Sequence, residues 1–139
     1  MSNQLNLFGT IDFFKEDVPA AVKSMQAFDD TYWKNCFDRS LLTAKPQNYK
    51  YPNCSFSLIL NSYEEEQVIQ DFENVLRQIP FFSCRFFIAN EQSPDEKLFT
   101  YVRDLQKKKI TKSMNLIATS DEVVCGEIMP DELIQKTRI

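Results

Sequence analysis

The chain has 139 residues, 43% of them hydrophobic and 26% charged, with 20 acidic and 16 basic side chains for a formal charge of −4. That length fits one ordinary domain, able to bury roughly 68–70% of its unfolded surface without disulfide or metal staples. Histidine is absent and glycine occurs only at Gly9 and Gly126. His-based catalytic triads, His-containing zinc sites and glycine-rich phosphate loops therefore cannot be built from this chain.

The first residues lack a basic segment followed by a long apolar run, so a secretory signal is not expected. The densest apolar run, Phe81–Ala89, is about half a membrane span in length and carries Arg85 in its middle. Cys36, Cys54, Cys84 and Cys125 are far apart and form no CxxC pair. Scattered thiols of this kind read as reduced and structural, which points to a cytoplasmic protein with neither a metal nor another cofactor.

In chain order, the first strand is read over Leu5–Phe14. A helix should begin near Asp17 as N-cap, with Pro19 in its first turn, and set Ala21, Met25, Phe28, Tyr32 and Cys36 on one stripe, widened by Val22, Trp33 and Phe37. Residues 43–53, with two prolines and several polar side chains, read as a surface loop. A strand over Ser55–Leu60 leads to a second helix with a capping box, Ser62 standing three residues before Glu65. Val68, Ile69, Phe72, Val75, Leu76 and Ile79 follow at helical spacing until Pro80 stops them.

After a strand over Phe81–Ala89, Ser93-Pro94-Asp95-Glu96 reads as another capping box, opening a third helix. Its apolar stripe would be Leu98, Phe99, Val102 and Leu105, with Lys107, Lys108 and Lys109 at the negative end of its dipole. Strands over Met114–Thr119 and Val123–Met129 flank a hairpin turn at Ser120-Asp121-Glu122, and the tail 130–139 adds a short helix on the sheet's edge. The order β-α-β-α-β-α-β-β predicts a single α+β or α/β domain over residues 1–139, with mainly a four- to five-stranded sheet and about three helices.

Period-two reading of the strands separates two faces. One is apolar: Leu5, Leu7, Ile11 and Phe13; Phe56, Leu58 and Leu60; Phe82, Cys84, Phe86 and Ile88; Met114, Leu116 and Ala118. The other mixes large aromatic and small polar groups: Phe8, Thr10, Asp12 and Phe14; Ser57 and Ile59; Phe81, Ser83, Arg85 and Phe87; Asn115, Ile117 and Thr119. Asp12 and Arg85 on that face suggest an ion pair. Three fates are open to it: cover by the wide-striped first helix, contact with a partner or second copy, or a ligand pocket. Twelve phenylalanines in 139 residues, with Arg85 among them, suit the second, because binding hot spots use aromatic and Arg side chains.

Glu64, Glu65, Glu66, Asp71 and Glu73 fall within ten residues that hold no Lys or Arg. Helical geometry sets Glu66 and Glu73 on one edge of the apolar stripe and Glu64 and Asp71 on the other. They read either as a solvated face or as a field that steers a basic partner. The basic run Lys107–Lys112 lacks interleaved aromatics, and the acidic balance speaks against nucleic acid as a partner. None of the cysteines or serines stands in a nucleophile motif.

The reading is therefore a small, acidic, non-catalytic module that binds another protein, of the inhibitor or immunity type. Glu64, Glu65, Glu66, Asp71 and Glu73 would steer, and Phe81, Arg85, Phe87, Tyr49 and Tyr51 would anchor. The alternatives are a small enzyme or ligand-binding domain with a pocket around Asp12 and Arg85, and an obligate homodimer with a structural or adaptor role.

Overall fold

The apolar alternation of Leu5, Leu7 and Ile11 makes the first strand the centre of the molecule, because residues of that parity must be covered. A computed structural model of the chain describes residues 4–28, 31–44, 49–61, 64–92, 96–104, 108–119 and 121–129. In it, β1 (Gln4–Asp12) pairs antiparallel on one side with β3 (Asn53–Asn61) and on the other with β4 (Ser83–Asn90). The two-residue β2 (Phe37–Asp38) adds to β3 at one edge. β4 continues as a meander through β5 (Lys97–Asp104), β6 (Lys109–Leu116) and β7 (Glu122–Ile128) to the other edge. The result is one seven-stranded sheet in the order β2-β3-β1-β4-β5-β6-β7, every neighbouring pair antiparallel.

This corrects the expected sheet of four to five strands and the order β-α-β-α-β-α-β-β: the chain is mostly sheet, and only two of the three expected helical segments are helical. The segment expected as the third helix is β5. Phe99, Tyr101 and Arg103 point inward, while Leu98, Thr100 and Val102 point outward. Its apolar residues match helical spacing only because both faces of the strand carry them. Residues 93–95 and 105–107, which held the expected cap and the end of that helix, lie outside the described residues, as do Ser62 and the tail 130–139. Lys109 opens β6, and that strand ends at Leu116, so Ile117–Thr119 belong to the turn. A hairpin does join β6 to β7, with the Leu116 amide donating to the Asp121 carbonyl at 3.0 Å, but Glu122, expected in its turn, opens β7, and Ser120 lies outside the described residues.

The other two expected helices are present. A single 3-10 turn (Lys15–Asp17) runs into α1 (Val18–Gln26), with Asp17 at the N-cap and Pro19 in the first turn, but no side-chain capping bond forms. The chain then bends into the short α2 (Thr31–Cys36), so the expected long stripe is divided between two helices. α3 (Glu65–Arg77) has Glu64 at its N-cap, in extended conformation. Ser62, the other half of the expected capping box, lies outside the described residues, and the Glu65 Oε2 accepts a hydrogen bond from Lys97 Nζ of β5 at 2.7 Å.

All three helices lie against the same side of the sheet. Phe28, just past α1, meets Phe37 at 6.2 Å, and Phe37 meets Phe56 of β3 at 5.7 Å. Trp33 of α2 lies 5.5 Å from Phe72 of α3, itself 4.3 Å from Phe86 of β4 and 5.1 Å from Phe56. The buried apolar side chains form one continuous cluster between helices and sheet. The wide first stripe is thus spent on this side, and among the described residues no helix covers the mixed face.

The centre of that cluster depends on an absence. Gly9 is directly opposite both Phe56 and Phe86. Because it carries no side chain, the two rings close over β1 and stack with centroids 6.0 Å apart, and Phe72 packs against both. A glycine inside a strand commonly marks such a close approach.

Candidate functional site

Cross-strand register lays the uncovered face out as rows of side chains. One row runs Asp38, Ser55, Thr10, Arg85, Thr100, Ser113 across β2, β3, β1, β4, β5 and β6. The next runs Ser57, Phe8, Phe87, Leu98, Asn115. Phe8 and Phe87 are a cross-strand aromatic pair with centroids 4.5 Å apart, yet Phe8 stays 51% exposed and Ile59 beside it 62%. The two rows border an open depression of about 590 Å³, lined by Phe8, Thr10, Ser55, Ser57, Arg85, Phe87 and Leu98, with Cys36 and Asp38 on its β2 rim.

Arg85 is exposed and, among the described residues, makes no ion pair or side-chain hydrogen bond. The expected Asp12–Arg85 pair is corrected. Asp12 lies in a separate row, opposite Ser83, and its Oδ2 accepts a hydrogen bond from Ser83 Oγ at 2.8 Å. Asp38 accepts the Ser40 amide at 3.1 Å, and that bond holds its carboxyl below the ordinary range.

The other expected anchors separate. Phe87 is on the open face, but Phe81 is only 1% exposed and cannot meet a partner. β4 begins at Ser83, so strict alternation does not extend back to Phe81 and Phe82. Phe82 packs instead with Phe14 at 4.7 Å and with Tyr51 at 5.3 Å. Tyr51 and Tyr49 are exposed, Tyr51 at the end of the sheet beside this aromatic group.

The acids of α3 separate as well. Glu64 and Glu66 are exposed, and Asp71 accepts a hydrogen bond from Gln67 Nε2 at 3.0 Å. Glu65 and Glu73 turn toward the sheet, where Lys97 and Lys112 neutralise them. Two of the five steering acids therefore serve the join between layers. Sequence reasoning misses this because it places Lys97 and Lys112 in a helix and its exit. Their inward positions on β5 and β6 follow only once those strands are recognised.

The thiols also divide. Cys54 and Cys84 are buried, Cys36 half-buried and Cys125 exposed. Burial pushes the Cys36 and Cys54 thiols up to about 12, and Cys84 well above the ordinary value. Since thiolate is the reacting form, a chromogenic disulfide reagent at pH 8 is expected to titrate one thiol, Cys125, rapidly in the native protein and all four after unfolding. Two or more fast native thiols would contradict this arrangement.

Among the described residues, no helix is long and apolar enough to cross a membrane. Comparison of the chain with protein-family models, with curated proteins and with solved structures finds no match.

Proposed function

We propose that the chain is a small non-catalytic module of inhibitor or immunity type, working in the cytoplasm by docking the open face of its sheet on another protein. The carrying observation is that uncovered face, where the half-exposed Phe8 and its partner Phe87 stand next to Arg85. Aromatic and Arg side chains grouped near the middle of a patch are the usual composition of a binding hot spot. The face measures roughly 30 Å across by 25 Å along the strands from ordinary sheet spacings. That is close to the roughly 800 Å² per partner of a standard stable interface.

The alternative of an enzyme pocket around Asp12 and Arg85 loses support because those side chains do not converge, Asp12 standing in a separate row bonded to Ser83. A polyanion such as nucleic acid is disfavoured because the same face carries Asp12, Asp38, Glu122 and Glu127 by strand parity. The exposed Glu64 and Glu66, on the helical layer, are left to steer approach rather than to form the contact.

Affinity capture from the source cells, with three immobilised forms compared, tests this reading. The wild-type chain should enrich one protein at near-stoichiometric yield. The double variant Phe8→Ser, Phe87→Ser should lose it, since hot-spot truncation costs about 2 kcal/mol or more per residue, while keeping the wild-type circular dichroism spectrum. The double variant Glu64→Lys, Glu66→Lys should retain it with slower association at low salt. Equal capture by the wild-type and Phe-to-Ser forms would overturn the assignment of the face.

A further inference from the structure

We infer that the depression at the middle of the open face is a binding site for a carboxylate carried on an aromatic or branched apolar body. Beyond a docking surface, this assigns the site a ligand chemistry of its own.

Charge singles out one group on the open face, the remaining strand arginine, Arg103 of β5, being buried on the other side of the sheet. Lys97, Lys109 and Lys112 are each paired with a glutamate: Glu65 at 2.7 Å, Glu127 at 2.9 Å and Glu73 at 2.5 Å. Arg85, near the middle of the sheet, is not paired within the described residues, and it borders the depression. A guanidinium presents a planar fork of donors that fits a carboxylate through two parallel hydrogen bonds. Thr10, its direct cross-strand neighbour on β1, lines the same depression and carries a hydroxyl there as an uncharged donor.

Shape and polarity then define the rest of the ligand. Phe87 follows Arg85 by two residues on the same face of β4, and Phe8 and Leu98 flank Phe87 in the adjoining strands. The cationic fork and an apolar floor thus share one concavity, of about 590 Å³. Small-molecule sites span roughly 300–1,000 Å³ and combine apolar walls with a few polar groups that fix orientation. Asp38, ionised at the far rim, makes the site unfavourable for a second negative charge. The fit is to a monoanion rather than to a phosphate or polyanion.

The group has two sources, a free acid or the carboxylate ending a peptide chain, and the test separates them. The probes are 3-phenylpropanoate, its neutral amide, and N-acetyl-Ala-Ala-Phe with a free or an amidated carboxyl end. Each is titrated into the isotope-labelled chain and followed by amide chemical shifts.

The expected result is saturable movement of the Thr10, Arg85 and Phe87 resonances with 3-phenylpropanoate, at a dissociation constant on the order of 1 mM for so small a ligand. The amide should bind about tenfold more weakly, because it lacks the charge-assisted pair. Arg85→Gln, at an exposed position, should abolish the preference for acid over amide while leaving the rest of the spectrum in place. A peptide acid binding at least tenfold more tightly than 3-phenylpropanoate identifies a chain terminus as the source, and equal or weaker binding identifies the free acid. Equal shifts by acid and amide, shifts mapping away from these residues, a preference that survives Arg85→Gln, or no response up to about 20 mM would each overturn the site. These probes leave the capture experiment untouched, so the ligand site and the protein-docking reading fail separately.

Discussion

Gly9→Ala is expected to destabilise the chain by about 3 kcal/mol or more, at the severe end of overpacking substitutions. A Cβ added to Gly9 falls 1.9 Å from the Arg85 carbonyl oxygen and 2.8 Å from the Phe56 ring carbon Cζ. The ring has little room to retreat, since it packs against Phe37, Phe72 and Phe86. The carbonyl belongs to the backbone of the neighbouring strand, so relief requires β1 and β4 to separate at the centre of the sheet. For a domain of this size the cost corresponds to a fall in melting temperature on the order of 10 °C. Gly126 is the useful contrast. A Cβ added there would meet nothing within 4 Å, but the residue's φ is +113°, so Gly126→Ala strains only the local backbone of β7 beside its register shift, at about 1–2 kcal/mol. Thermal melts of both variants test the difference, and a Gly9→Ala melting point within about 3 °C of wild type would mean that β1 and β4 do not approach as described.

That glycine also explains part of what is legible in the sequence. The strands around it are readable because each has one wholly apolar parity. Leu5, Leu7 and Ile11, Cys84, Phe86 and Ile88, and Phe56 with Leu60 are all buried where alternation places them. β5 is not readable in that way. Its exposed Val102 and half-exposed Leu98 face the open side, and its buried parity ends in Arg103. Apolar residues on both faces blur a period of two, and Leu98, Phe99 and Val102 then match a helical stripe. The run Phe99-Thr100-Tyr101-Val102 is the signal that argues for a strand, because aromatic and β-branched residues favour pleated structure.

The candidate site is legible in part for the same reason. Parity places Phe8, Thr10, Arg85 and Phe87 on one mixed face, and the register brings them into two adjoining rows. What parity alone does not reveal is which layer covers which face. The broad apolar stripe after Asp17 suits either side of a sheet. Only the contacts of Phe28, Trp33 and Phe72 put all the helices together. Asp38 and Leu98 enter the site through strands that sequence reasoning does not assign, the two-residue edge strand β2 and β5.

The division among the acids of α3 leads to a second large effect. Glu73→Lys is expected to cost about 3 kcal/mol or more, whereas Glu66→Lys should stay within about 0.5 kcal/mol of wild type. Helical spacing puts both residues on the same edge of the helix, but Glu66 is exposed and Glu73 is only 17% exposed at its side chain. The Glu73 Oε2 accepts hydrogen bonds from Tyr101 Oη at 3.0 Å and from Lys112 Nζ, and Lys112 lies 5.0 Å over the Phe99 ring. Burial first, and then the adjacent Glu73 carboxylate, hold the Tyr101 phenol protonated far above its ordinary range, which keeps it a donor to Glu73. Reversing Glu73 removes the acceptor for both groups and sets a second ammonium beside Lys112 where little water reaches. Removing one partner of a buried pair typically costs about 3–5 kcal/mol, because the other charge remains. Glu73→Gln keeps an acceptor for Tyr101 and should lose only about half as much. Urea unfolding of the three variants measures these differences directly. If Glu73→Lys and Glu66→Lys gave the same midpoint, the carboxylate would have to be solvated and the join between α3 and the β5–β6 hairpin would not depend on it.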